Sequence, residues 1–258
     1  MKRVPTPVRI VLGVIALLQA VMVWADTVPV TITSLDPRFE QLVPKDAKLE
    51  KIADGFTWVE GPVWHKQGGY LLFSDIPANA VYQWKPGKGV SLFLKNSGYS
   101  GTTPFAGKEP GSNGRIFDAQ GRLVLCRHGD RQIGRLESNE TIVPLANHYD
   151  AHKINSPNDL VFKSNGDLYF TDLPFGLPQS FEDSSKAPVQ GVYRLSIDGT
   201  VTLLIHNIKA PNGIAFSPDE QTLYVSDVDP KRAAWLPFAR RAAIAAIARK
   251  RDLIIVED

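Results

Sequence analysis

The chain has 258 residues, 43% of them hydrophobic and 22% charged, an ordinary globular composition with enough apolar material for a buried core. Its formal charge of +2 hides an asymmetry: without the three basic residues of 1–25, and the seven basic and three acidic residues of 231–258, 19 basic face 24 acidic residues, net −5. An acidic body argues against nucleic acid as a partner, and a lone cysteine, Cys126, excludes an intramolecular disulfide.

Residues 1–25 carry Lys2 and Arg3, then an apolar stretch over 10–24, and end on Val23-Trp24-Ala25, a small-residue cleavage site before Asp26. That is the outline of a secretory signal peptide, so the domain is expected in the periplasm or secreted; an uncleaved anchor is the alternative. No other segment reads as a membrane span. Residues 26–49, with Pro29, Pro37 and Pro44, read as an irregular lead-in whose residues 39–43 pack on the outside of the first blade.

Residues 50–230 read as a partial β-propeller. The clearest unit is Ser156-Pro157-Asn158-Asp159-Leu160-Val161-Phe162, an Asn165-Gly166 turn, then Leu168-Tyr169-Phe170-Thr171-Asp172. Two alternating apolar runs around Asn-Gly form a hairpin. The phrase recurs at Val59-Glu60-Gly61, Ser112-Asn113-Gly114 and Pro211-Asn212-Gly213, so its anchors Glu60, Asn113, Asn158 and Asn212 stand 53, 45 and 54 positions apart. Further strands follow each hairpin, such as Gln132–Leu136 and Gly191–Leu195, and four short strands per repeat of this length make a propeller blade.

After Asp229-Pro230 the pattern changes. Residues 231–258 are rich in Ala and Arg, which favours helix. This tail is either a capping helix or the product of a shifted reading frame, and the second is preferred because a blade's third and fourth strands should follow Asp227 and do not. The expected fold is all-β, a propeller of about four blades with an atypical, helix-prone tail.

The loops opening each repeat put Glu60, Asn113, Asn158 and Asn212 at the same point of each blade, and equivalent inner-strand positions of a propeller converge on its central channel. One carboxylate with several amide carbonyls makes an oxygen-rich cage of low charge, which suits a hard cation such as Ca²⁺ better than Zn²⁺. An Asn before Gly or Asp is by itself an ordinary turn residue; the aligned set is what points to metal. His128 ends the second hairpin, where the other repeats place Asp75, Asp172 and Asp227. Beside a metal cage it is placed to bond a substrate oxygen or shuttle a proton, although a lone His at a strand end is commonly a turn residue. The three Asp read as structural, capping the next turn, and Asp130 with Arg131 as a local ion pair. Cys126 reads as a buried, inert thiol, and Ser112 and Ser156 lack a base that would make either a nucleophile.

At these residues the sequence resembles the group of gluconolactonase, regucalcin (senescence marker protein) and luciferin-regenerating enzyme. The carriers are Glu60-Gly61-Pro62-Val63-Trp64, Cys126-Arg127-His128-Gly129-Asp130-Arg131, Asn155-Ser156-Pro157-Asn158-Asp159 and Pro211-Asn212-Gly213. The resemblance implies a six-bladed propeller that hydrolyses lactones with a divalent metal, commonly Ca²⁺, with Zn²⁺ or Mg²⁺ as alternatives. It implies that Glu60, Asn158 and Asn212 are metal ligands. The family's remaining ligand, an Asp that is also its favoured general base, opens a later blade, and neither Asp252 nor Asp258 sits in a matching motif. The function implied is an exported lactonase acting on a small lactone or sugar-acid substrate, with His128 catalytic and substrate-binding and Asn113 a second substrate contact. The alternative is a truncated, catalytically dead propeller that binds metal or a partner, or an unstable pseudogene product.

Overall fold

Alternating apolar runs joined by tight turns dictate antiparallel hairpins. The computed structural model, which describes residues 26–28, 32–44, 46–178 and 189–228, is built almost wholly from them. The leader and the tail of 231–258 lie outside the described residues. β1 (Asp26–Val28) pairs antiparallel with β2 (Leu49–Lys51). Between them a 3-10 turn over Pro37–Gln41 is capped by Asp36, whose Oδ1 accepts the Arg38 N–H at 2.9 Å. The stretch expected to be irregular thus holds a strand and a turn, and the turn buries none of its residues.

The first blade consists of β3 (Val59–His65), β4 (Tyr70–Asp75), β5 (Ala80–Lys85) and β6 (Gly89–Lys95). The second is β7 (Ser112–Phe117), β8 (Leu123–Arg127), β9 (Gln132–Leu136) and β10 (Ile142–Ala146). A small hairpin of β11 (His148–Tyr149) and β12 (His152–Lys153) leads to the third, β13 (Ser156–Phe162), β14 (Leu168–Leu173), β15 (Gly191–Leu195) and β16 (Val201–Ile205). β17 (Pro211–Phe216) and β18 (Leu223–Asp227) form a further hairpin. Each sheet is ordered as the chain runs, and the first strands adjoin in turn: β3 against β7, β7 against β13, β13 against β17. Sheets fanning out from a row of first strands are propeller blades, so the architecture is the all-β propeller that the repeats predict.

The core lies between blades. Val124, Cys126 and Ile133 of the second blade pack with Ile154, Leu160, Leu168, Phe170 and Tyr193 around the third, and the rings of Phe170 and Tyr193 stack 5.4 Å apart. Leu72 and Val81 meet Leu123 and Leu125 across the first junction. Cys126 is fully buried, and burial pushes its thiol well up, so it is the inert core residue expected.

Each first strand of the described blades carries an irregularity beside its anchor, one residue later in β3, where Glu60 keeps its pairing with Ser74. The register slips by one residue between Glu60 and Val63, Ser112 and Arg115, Pro157 and Leu160, and Pro211 and Ile214. A β-bulge inserts an extra residue, breaks the two-residue alternation and re-aims the side chains at that point. The anchors read from sequence as loop residues therefore lie inside strands, at these bulges.

Asp75, Asp172 and Asp227 end the second strands and are structural, as expected, but each caps the loop before its own blade rather than the next turn. Asp75 accepts the N–H groups of Thr57 and Trp58, both at 3.1 Å, Asp172 that of Asn155 at 2.7 Å and Asp227 that of Ala210 at 3.1 Å. Asp172 is fully buried, and burial pushes its carboxyl up to about 7 although the Asn155 bonds pull it down. Between its ordinary value of 3.8 and about 7 the folded chain therefore holds a proton that the unfolded chain has released, and stability falls as pH rises through that window. Denaturant unfolding at pH 4 and pH 7 is expected to show the wild type losing more stability than Asp172→Asn, by on the order of 4 kcal/mol. Equal losses in the two proteins would contradict this origin of the slope.

Candidate active site

The four bulges abut in sequence order. A Cβ on Gly61 would lie 2.2 Å from the Asn113 carbonyl oxygen, and one on Gly114 would lie 2.6 Å from Asp159 Oδ1 and 2.7 Å from the Asn158 carbonyl oxygen. On the far side, Thr171 Oγ1 donates to the Asn212 carbonyl at 2.6 Å, and the Ile214 N–H donates to Asp159 Oδ2 at 3.1 Å. Glu60, Asn113, Asn158 and Asn212 thus stand on neighbouring strands, as the repeats predict.

Most of their side-chain polar atoms have no partner among the described residues. Asn113 and Asn158 are only 6% and 5% exposed, yet among the described residues no hydrogen bond engages the side-chain amide of either, nor that of Asn212. Glu60 Oε1 accepts the Trp58 indole N–H at 3.0 Å, and Oε2 has no partner among the described residues. Asp159 reinforces the negative character of the site: burial pushes its carboxyl up, the N–H groups of Ile214 and Leu160 pull it down, and the charge of Glu60 pushes it up again. The negative charge that raises the Asp159 carboxyl is relieved by a cation. Among the described residues no three His, Cys, Asp or Glu side chains cluster, so the donors on offer are amide and carboxylate oxygens. That set fits a hard cation.

His128 is 1% exposed, and neither ring nitrogen has a hydrogen-bond partner among the described residues. Glu109 Oε2 lies 3.4 Å from Nδ1. Pairing corrects its alignment with the repeat. Ser112 faces Arg127 as Val59 faces Asp75, Pro157 faces Asp172 and Pro211 faces Asp227, so Arg127 holds the Asp position and His128 lies one residue beyond. Arg127 does the work of the Asp with the polarity reversed, donating to the carbonyls of Ser97 at 2.8 Å and Asn96 at 3.2 Å in the loop before its blade.

The sequence and the fold match those of known proteins. The signature of the SMP-30/Gluconolactonase/LRE-like region matches residues 58–257. The chain belongs to this family. It is 43% identical over 203 residues to a gluconolactonase of Zymomonas mobilis, covering 77% of this chain and 56% of the relative. It is 30% identical over 189 residues to a lactonase of Staphylococcus epidermidis, covering 70% and 51%. The structure of a gluconolactonase from Xanthomonas campestris superposes with a TM-score of 0.64 at 35% identity, covering 79% of this chain and 65% of that one. The chain spans about half the length of the curated relatives.

Within this SMP-30/gluconolactonase-like framework, two residues of the site escaped the sequence reading. The residue after each anchor is Gly61, Gly114, Asp159 or Gly213, and the one side chain among them reaches Gly114 on one flank and Ile214 on the other. Three glycines and an Asp in equivalent slots were the available signal. Arg115 stands two residues after its anchor, where the other repeats carry Pro62, Leu160 and Ile214. Its guanidinium is buried, which lowers it to about 9, and it supports the site by donating to the Asn113 carbonyl at 3.0 Å and to Ser74 Oγ. Asp130 pairs with Arg127 at 2.7 Å and not with Arg131, which donates instead to the carbonyls of Ile154 and Asn155. The Ser112 and Ser156 hydroxyls are engaged by Ser74 Oγ and the Leu173 carbonyl.

Proposed function

We propose that the protein is an exported lactone hydrolase in which Glu60, Asn158 and Asn212 hold a Ca²⁺-type cation, and Asn113 and His128 bind a small lactone or sugar-acid substrate. One observation carries this reading: four abutting bulges present one carboxylate oxygen of Glu60 and three side-chain amides that find no partner among the described residues. The names of the relatives support the substrate class, and the basic-then-apolar pattern of residues 1–25 supports export.

A bound cation supplies Lewis-acid polarisation of the lactone carbonyl. The chain's own residues do the rest. Trp58 holds one oxygen of Glu60 and so orients the other. The side-chain amide of Asn113, a residue whose backbone carbonyl Arg115 holds, offers both a donor and an acceptor to substrate hydroxyls. His128, buried beside the Gly111–Ser112 backbone, offers a ring nitrogen to a substrate oxygen or to its proton. Hydrolysis adds water across the acyl C–O bond and opens the ring to a hydroxy acid.

The test is acid release from glucono-δ-lactone in a pH-stat, with the full chain, before and after chelation. Release above the uncatalysed rate, lost with a chelator and restored by Ca²⁺, is expected. A rate equal to the uncatalysed one at saturating Ca²⁺ would overturn the reading.

A further inference from the structure

Between β6 and β7 the chain takes a long excursion over residues 96–111, and its bonds bring one acid to His128. Asn79 Oδ1 accepts the N–H groups of Gly98 and Tyr99 at 2.9 and 3.1 Å, and the Asp130 carboxylate accepts Ser100 N–H and Oγ–H at 3.0 and 2.7 Å. At its far end the Gly111 carbonyl accepts the His128 N–H and the Pro110 carbonyl the Gly129 N–H, both at 3.2 Å. Glu109, the residue before this clamp, is thereby held with Oε2 3.4 Å from His128 Nδ1. The ring is closed in from the other side by Gly176, where a Cβ would come within 2.5 Å of His128 Cβ and 2.7 Å of Nδ1.

We propose that Glu109 is the positioning residue of His128: its carboxylate accepts the Nδ1 proton, fixes the tautomer and leaves Nε2 as the ring atom that meets the substrate. This rests on the lactonase reading above. A neutral imidazole carries its proton on one nitrogen only, and the partner of that nitrogen decides which. Neither ring nitrogen has a hydrogen-bond partner among the described residues, and it is Nδ1 that has a carboxylate oxygen close by, an acceptor that carries no proton of its own when ionised. A contact of 3.4 Å is long for a hydrogen bond, and such contacts tighten when a site is occupied.

The experiment compares the full-length wild type with Glu109→Ala and Glu109→Gln, reading the ¹⁵N shifts of the His128 imidazole together with kcat and KM for glucono-δ-lactone. The wild type is expected to show one tautomer, with the proton on Nδ1. Glu109→Ala is expected to give a mixture and to lose about tenfold or more in kcat with KM nearly unchanged. Glu109→Gln, which keeps an acceptor, is expected to recover the single tautomer and part of kcat. Identical tautomer populations in wild type and Glu109→Ala would overturn the assignment, as would an unchanged kcat. If the wild type hydrolyses no lactone, the functional reading fails, and the ¹⁵N comparison still decides whether Glu109 governs His128.

Discussion

Replacing Glu60 by Gln is expected to weaken Ca²⁺ binding by about 100-fold or more and to remove lactone hydrolysis with it, while the fold survives. The substitution keeps the shape of the side chain and an acceptor for the Trp58 indole N–H, which now bonds Oε1 at 3.0 Å. What it removes is the only formal charge among the four anchors, Glu60, Asn113, Asn158 and Asn212. Amide oxygens coordinate but do not neutralise. The loss of one carboxylate facing a dication in a partly buried site amounts to roughly 3 kcal/mol or more. Calorimetric titration with Ca²⁺ and pH-stat assays on the same preparation measure both effects. Unchanged affinity in Glu60→Gln would show that the cation sits elsewhere.

Gly61→Ala is expected to destabilise the fold by about 3 kcal/mol or more, since it combines two costs. Gly61 has φ +55, in the left-handed region, and a Cβ there would stand 2.2 Å from the backbone oxygen of Asn113. Backbone cannot swing aside as a flexible side chain can, so the first two blades would have to part at the bulge. Gly55 separates the two costs. It has φ +86 and open space around it, so Gly55→Ala carries only the backbone strain of about 1–2 kcal/mol. Urea unfolding of both variants is expected to show the larger loss at Gly61, and equal losses would mean that the junction is looser than the structure draws it.

The propeller was legible because its signals are local. Asn165-Gly166 and the alternating runs about it specify β13 and β14 without reference to anything distant, and β9 and β15 fall on the predicted residues. The bulges were not legible, because a bulge is a relation between two strands and no single strand carries it. Hence Glu60 and the three Asn were recognised as a set but placed in loops. Register explains the error at His128. From Ser112 to its partner Arg127 is 15 positions, from Val59 to Asp75 is 16, and counting along the chain alone slips by one. A one-residue slip exchanges the faces of a strand, which is how Arg127, the structural equivalent of the Asp, was passed over. Asp159 was hidden for another reason: its meaning depends on Gly114 and Gly213, which leave the space that its carboxylate enters.

The claim on which the rest depends is that the inner-strand bulges assemble a cation site from Glu60, Asn158 and Asn212. Diffraction from Ca²⁺-soaked crystals of the full chain tests it most directly. The account predicts one strong peak with a Glu60 carboxylate oxygen and the side-chain oxygens of Asn158 and Asn212 at about 2.3–2.6 Å. A peak elsewhere, or none at saturating Ca²⁺ with those oxygens turned apart, would contradict it.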